Sequence, residues 1–196
     1  MAQTRTNKSI SDFKSALLGG GARPNLFEVE LTTLPTGVTG WDAETFRFMC
    51  KAASLPAQNI AAIDVPFRGR IFKVAGDRTI DPWTVTIIND ENFLLRNAFE
   101  NWTQQIADLS TNIGATLPES YMTNAKVYQL GRGSKVSSTN SSGDRNVVLK
   151  EYEFIDIFPT SVSAIDLSYD TGDTIEEFTV EFQVQSLRLT GAGRPN

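Results

Sequence analysis

Glutamates are the residues here whose spacing suggests chemistry. Glu28 and Glu30 lie two apart in "LFEVEL" (26–31), Glu151 and Glu153 two apart in "KEYEF" (150–154), and Glu181 sits within "FTVEFQV" (178–184). Two carboxylates can cleave a glycosidic bond as acid and base or as acid and nucleophile, but they must face each other across a cleft with aromatic platforms. Residues i and i+2 of a strand instead project side by side from one face. A solvated strand face therefore explains these pairs better than a glycan-processing site. The sequence contains no His, which removes the commonest general base and the Ser-His and Cys-His nucleophile arrangements. Cys50, in "FRFMC" (46–50), alternates with Phe46 and Phe48 if the segment is a strand, and so reads as a buried structural thiol. "DLSYDTGD" (166–173) lacks the ligand alternation and closing Glu of a calcium loop, and a hairpin turn at Asp170-Thr171-Gly172-Asp173 accounts for it. "GRGSK" (131–135) has neither Walker spacing nor a following helix. The expectation is no catalysis, no cofactor and no metal.

The elements that must position these residues are mostly strands. "LFEVEL" places Phe27, Val29 and Leu31 opposite its two glutamates, and "FTVEFQV" places Phe178, Val180, Phe182 and Val184 opposite Thr179, Glu181 and Gln183. Further strands are expected at 45–51, 70–75, 83–88, 125–130, 147–157 and 164–169. One segment changes period: after Asn89-Asp90 as N-cap, residues 91–109 set Leu95, Phe99, Trp102, Ile106 and Leu109 at helical spacing. The fold class is mainly β, an antiparallel sandwich or barrel with one amphipathic helix packed on it. Trp83 and Trp102 read as core anchors rather than interface anchors. Residues 1–21 form a polar arm ending in Gly19-Gly20-Gly21, within which "ISDFKSALL" (10–18) suits a short helix with Ile10, Phe13 and Leu17 on one side. The β domain spans 22–189, with a Ser/Gly/Asn-rich hairpin tip at 131–146 and a tail at 190–196.

With 196 residues and a hydrophobic share of 40%, the chain can bury one substantial core. Its net charge is −5 and its pI about 4.8, so no overall attraction draws it to nucleic acid. The first residues lack the apolar core of a signal peptide and no run approaches a membrane span, so a soluble protein folded in a cytoplasm, without membrane contact, is expected.

The segment "LPAQNIAAIDVPFRGRIFKVA" (55–75) is apolar yet bounded by Pro56 and Pro66, which suits a protruding connection more than a core strand. Leu55, Pro56, Ile60, Ile63, Val65 and Phe67 are its candidates for contact with another subunit. Asp77-Arg78, in the polar stretch that follows, reads as a structural ion pair or turn fixing that connection.

Taken in order, "ARPNLFEVEL", "FMCKAASLPAQNI", "PFRGRIFKVAGDRTIDPWTVTIIND", "RNAFENW", "FPTSVSAIDLSYD" and "IEEFTVEFQV" resemble the tail-tube proteins of T4-like contractile-tailed bacteriophages over about 22–185. The resemblance implies a structural subunit that assembles into stacked hexameric rings, forming a hollow conduit for DNA ejection inside a contractile sheath. It implies as partners other copies of the chain, the sheath protein, baseplate and tail-terminator proteins, and passing genomic DNA. It also implies a place in the virion tail after assembly in the host cytoplasm. A baseplate or terminator tube protein, and the tube of a phage-like injection or secretion system, share the same pattern. Glu28, Glu30, Glu151, Glu153 and Glu181 then become candidates for an acidic lumen that repels phosphate. The longer arm, residues 35–44 and the 131–146 tip depart from the family's pattern.

Overall fold

Strand-forming segments here declare their buried side by alternation, and helices appear where a cap interrupts it. The computed structural model describes residues 9–17, 21–31, 33–132 and 146–190. Its strands are β1 (Phe27–Glu30), β2 (Cys50–Ala53), β3 (Gln58–Phe67), β4 (Arg70–Ile80), β5 (Trp83–Ile88), β6 (Thr123–Arg132), β7 (Asn146–Val162) and β8 (Glu177–Thr190). Its α-helices are α1 (Ile10–Ala16), α2 (Ala43–Met49) and α3 (Leu94–Ile106). Six strands form one antiparallel sheet in the order β1-β6-β7-β8-β5-β2, while β3 and β4 pair only with each other. The two edges, β1 and β2, are four residues each and lie against one another, so the sheet is a nearly closed barrel.

In β5, Trp83, Val85 and Ile87 are buried while Thr84, Thr86 and Ile88 are only partly so, the expected period of two. Register carries that face across the sheet: Trp83 opposes Phe182, which opposes Pro159, and Val85 opposes Val180. Trp83 stacks on Phe154 and Phe182 at 4.7 and 5.1 Å between ring centroids. α3 adds Leu95, Ala98, Phe99 and Trp102 to this core, and the Trp102 indole N–H donates to the Tyr121 carbonyl at 2.8 Å. Both tryptophans are thus core residues.

α3 is shorter than the spacing predicts. Asn89 is spent on the loop before β8, its backbone N–H donating to the Glu176 carbonyl at 2.9 Å and its side-chain amide to the Glu176 carboxylate at 3.0 Å. The helix then starts behind Phe93, whose φ is 55°, with the Asp90 carboxylate accepting from the Leu94 N–H at 3.3 Å. It ends before Asp108, whose side chain captures the Ser110 N–H and the Thr111 hydroxyl and turns the chain, leaving Leu109 exposed.

Residues 45–51 are mostly helix rather than strand. Asp42 caps α2 by accepting from the Glu44 N–H at 3.1 Å, and Trp41 packs on Phe46 at 5.0 Å. Only Phe46 of the Phe46-Phe48-Cys50 alternation is buried; Phe48 is exposed, because on a helix residues two apart face different ways. Cys50 begins β2 and packs at the margin of the core. Residues 164–169 form no strand. The Ser163 N–H makes a last ladder bond to Thr179 at 2.8 Å, after which the β7–β8 connection is irregular, and Asp170-Thr171-Gly172-Asp173 bends within it instead of joining two strands directly. β6 and β7 remain paired out to Arg132 opposite Asn146; the tip beyond, 133–145, and the tail from 191 lie outside the described residues.

Candidate assembly surface

The apolar stretch 55–75 becomes a projecting β-hairpin. Arg68 and Gly69 both have positive φ, 44° and 81°, which is the two-residue turn whose twist matches the flanking strands. Register pairs Ile63 with Val74, Val65 with Phe72 and Phe67 with Arg70, so Ile63, Val65, Phe67, Phe72 and Val74 share one face. Every residue of β3 is exposed, and Phe67 and Phe72 keep 67% and 66% of their surface bare. The other face carries the Lys73–Asp64 ion pair at 2.7 Å beside Ala62, Ala75, Pro66 and Ile71. Cross-strand pairs of this kind hold a hairpin together, but a two-stranded ribbon is marginal in water without a surface to pack on. Residues 70–75, expected as one of the strands, are the returning half of this ribbon and add the exposed Ile71, Phe72 and Val74 to its apolar surface. Their alternation was visible; what sequence could not supply was that β4 has no partner except β3.

Leu55 and Pro56 lie in the short segment before β3, which is anchored where the Ser54 N–H donates to the Thr84 carbonyl at 3.0 Å. At the hairpin base the Asp81 N–H donates to the Ala57 carbonyl at 3.0 Å, and the Asn59 amide to Asp81 at 2.9 Å. Asp77 and Arg78 are neither a turn nor an ion pair with each other. Ile60 opposes Arg78 but Ala62 opposes Ala75, so Gly76 and Asp77 form a β-bulge against Ala61. The Arg78 guanidinium bonds the Gln58 side chain across the ladder. A Cβ at Gly76 would stand 2.9 Å from the Ala61 carbonyl oxygen, which explains a glycine at the bulge. The polar composition suggested a turn, but the ladder resumes on both sides of it.

Register brings Glu28, Glu30, Glu151 and Glu153 together on the sheet face turned away from the core, while Glu181 stands farther along β8, opposite Thr84 and Ser161. Four are already engaged: Glu28 with Arg47 at 3.1 Å, Glu151 with Lys126 at 3.0 Å, Glu153 with Arg188 at 3.3 Å, and Glu30 as acceptor from the Tyr128 hydroxyl at 2.7 Å. Burial, and then the bond to Glu30, push the Tyr128 phenol up from its ordinary range, while the hydrogen bond to Glu151 raises Lys126. Glu181, on the same face, has no ion pair among the described residues. The expected row of free carboxylates is thus largely a row of pairs. No group of ligating side chains suited to a metal ion occurs among the described residues, and none of their helices is long and apolar enough to cross a membrane.

Residues 22–188 match the family model described as phage tail tube protein. The chain is 37% identical over 162 residues to the tail tube protein gp19 of Enterobacteria phage T4, covering 83% of this chain and 88% of that protein. It is 36% identical, with the same coverage, to the corresponding protein of Enterobacteria phage T6. Among solved structures, a chain of the anti-feeding prophage baseplate aligns with a TM-score of 0.61 at 11% identity, covering 87% of this chain and 96% of that one. A chain of that particle's tube-terminating cap aligns at 0.59 and 17%, covering 88% and 92%. At those identities the two structures show a shared fold.

Proposed function

The chain belongs to the phage tail tube protein family, and from that premise we propose that it is the repeating subunit of a contractile-tail tube. Copies assemble into hexameric rings, and the rings stack into a hollow conduit for DNA. The subunit works by assembly rather than by catalysis, resides in the virion tail, and meets the sheath, baseplate and terminator proteins as its unlike partners. The observation that carries this reading is the 58–80 hairpin, whose apolar face the chain's own core leaves bare. Exposed apolar surface of that extent on a two-stranded ribbon belongs against another subunit.

Turned to the lumen, the glutamate face supports passage of a polyanion. Its fixed cations Lys126 and Arg188 are held by carboxylates, which leaves little free positive charge for phosphate to displace counterions onto. Negative-stain electron microscopy of the purified chain, dilute and concentrated, tests the proposal. Six-fold rings or hollow tubes are expected. A chain that stays monomeric at every concentration, with and without a baseplate seed, refutes it.

A further inference from the structure

Two more surfaces are bare within a single chain, and they complement each other. α1 opens with a reciprocal cap between Ser9 and Asp12, so its short length is locally fixed. Ile10, Phe13 and Leu17 fall on one side at i, i+3 and i+7, with Ile10 and Phe13 at 74% and 62% exposure. Sequence positions 1–17 carry Arg5, Lys8 and Lys14 against the single acid Asp12. The second surface is the irregular β7–β8 connection, residues 163–176. It forms an open cavity of about 560 Å³ whose lining includes Ile165, Leu167, Tyr169 and Ile175. Leu167, Tyr169 and Ile175 are exposed. The charges of 163–176 are Asp166, Asp170, Asp173 and Glu176, without a Lys or Arg.

We propose that the α1 arm of one copy docks in the 163–176 groove of a second copy, its apolar side on Leu167, Tyr169 and Ile175 and Lys14 facing the loop's carboxylates. Three observations favour this occupant. The arm is basic and the loop wholly acidic, so the pair attracts where either surface alone repels its like. Both surfaces carry apolar side chains that their own chain does not cover. The strand directions also separate them: residues 21–26 enter β1 beside the Gln129–Leu130 end of β6, where the Leu130 N–H donates to the Leu26 carbonyl at 2.9 Å. The 163–176 loop instead leaves from the far end of β7, beyond Val162. Arm and groove thus point out of opposite ends of the barrel. A contact between unlike ends propagates from copy to copy instead of closing as a dimer. The inference deepens the tube reading and rests on it for the stacking direction.

The test places the photocrosslinker p-benzoyl-phenylalanine at position 13 of the full chain, mixes light and ¹⁵N-labelled copies, irradiates, and maps crosslinked peptides by mass spectrometry. Mixed light–heavy crosslinks from the arm to 163–176 are expected. Combining Asp166→Lys with Asp173→Lys should lower their yield by roughly fourfold, about a factor of two for each exposed charge pair, and adding Lys14→Glu should recover part of it. Crosslinks confined to one isotope, or to another part of the second copy, overturn the inference. Electron microscopy of the same sample separates the two readings. Tubes with crosslinks elsewhere sink the docking alone, mixed arm-to-loop crosslinks without hollow tubes sink the tube reading alone, and monomers with no mixed crosslink sink both.

Discussion

Replacing Phe72 with Ala isolates the assembly face from the fold. Phe72 stands in β4 opposite Val65 and is 66% exposed in the single chain. Taking roughly 200 Å² for a Phe side chain, covering its bare part removes about 130 Å² from water. At about 25 cal/mol per Å² that contributes about 3 kcal/mol per contact; Ala retains a part, so the net loss is about 2 kcal/mol. Every 1.4 kcal/mol is tenfold in affinity, so the concentration at which assemblies first pellet should rise about thirtyfold. The folded monomer loses only a cross-strand pair, at most about 1 kcal/mol. Trp102→Ala is the contrasting control, because removing that buried ring costs about 3–5 kcal/mol of fold stability. Pelleting across a dilution series gives the first quantity and urea unfolding of the dilute chain the second. Unchanged pelleting by Phe72→Ala refutes the reasoning, and so does a stability loss approaching that of Trp102→Ala, which would mean that the hairpin lies on its own barrel.

Two further outcomes follow from the geometry. Gly76→Ala sets a Cβ 2.9 Å from the Ala61 carbonyl, so the bulge must open and the ribbon swing; we expect about 1–3 kcal/mol of destabilisation and misaligned or absent assemblies, measured by unfolding and microscopy, whereas normal tubes would show that the bulge does not aim the hairpin. Burial pushes the Cys50 thiol up to about 12 from its ordinary 9.0, so it should resist a disulfide reagent at pH 8 until the chain is unfolded. Above pH 9 the unfolded chain releases a proton that the folded one keeps, so this thiol's contribution to stability declines from pH 9 toward 12; rapid labelling of the folded chain at pH 8 contradicts the assignment.

Legibility in the sequence tracked how local each determinant is. The strand 83–88 was readable to the residue because Trp83, Val85 and Ile87 alternate with polar or less buried neighbours and both ends carry turn chemistry. α2 was missed because Phe46, Phe48 and Cys50 satisfy period two, and only the Asp42 cap and the Trp41–Phe46 contact select the helix. The start of α3 was misplaced because Asn89 has a better use, tying down Glu176, which lies 87 residues away along the chain. For the projecting ribbon, composition pointed to 55–75 as one apolar segment, but "RIFKVA" looks the same whether it joins the barrel or stands outside it, and only its pairing with β3 alone decides that. Likewise the glutamates showed which face they share, while their partners Arg47, Lys126 and Arg188 come from other elements that only the register brings near.

The barrel's closure has a kinetic consequence. With edges of four residues lying against each other, the six-stranded sheet presents no long strand on which another chain can template, and the free subunit's long open edges are confined to the β3–β4 ribbon. On the tube reading, two subunits meeting in solution share only a ribbon's worth of apolar contact, too little to hold them for long, whereas a subunit arriving at an existing ring engages neighbours on more than one side at once. Growth on a seed then outruns spontaneous initiation. On the tube reading, the chain can accumulate in its host as a quiet pool, and the appearance of a seed, rather than the amount of subunit, sets when and where polymer forms.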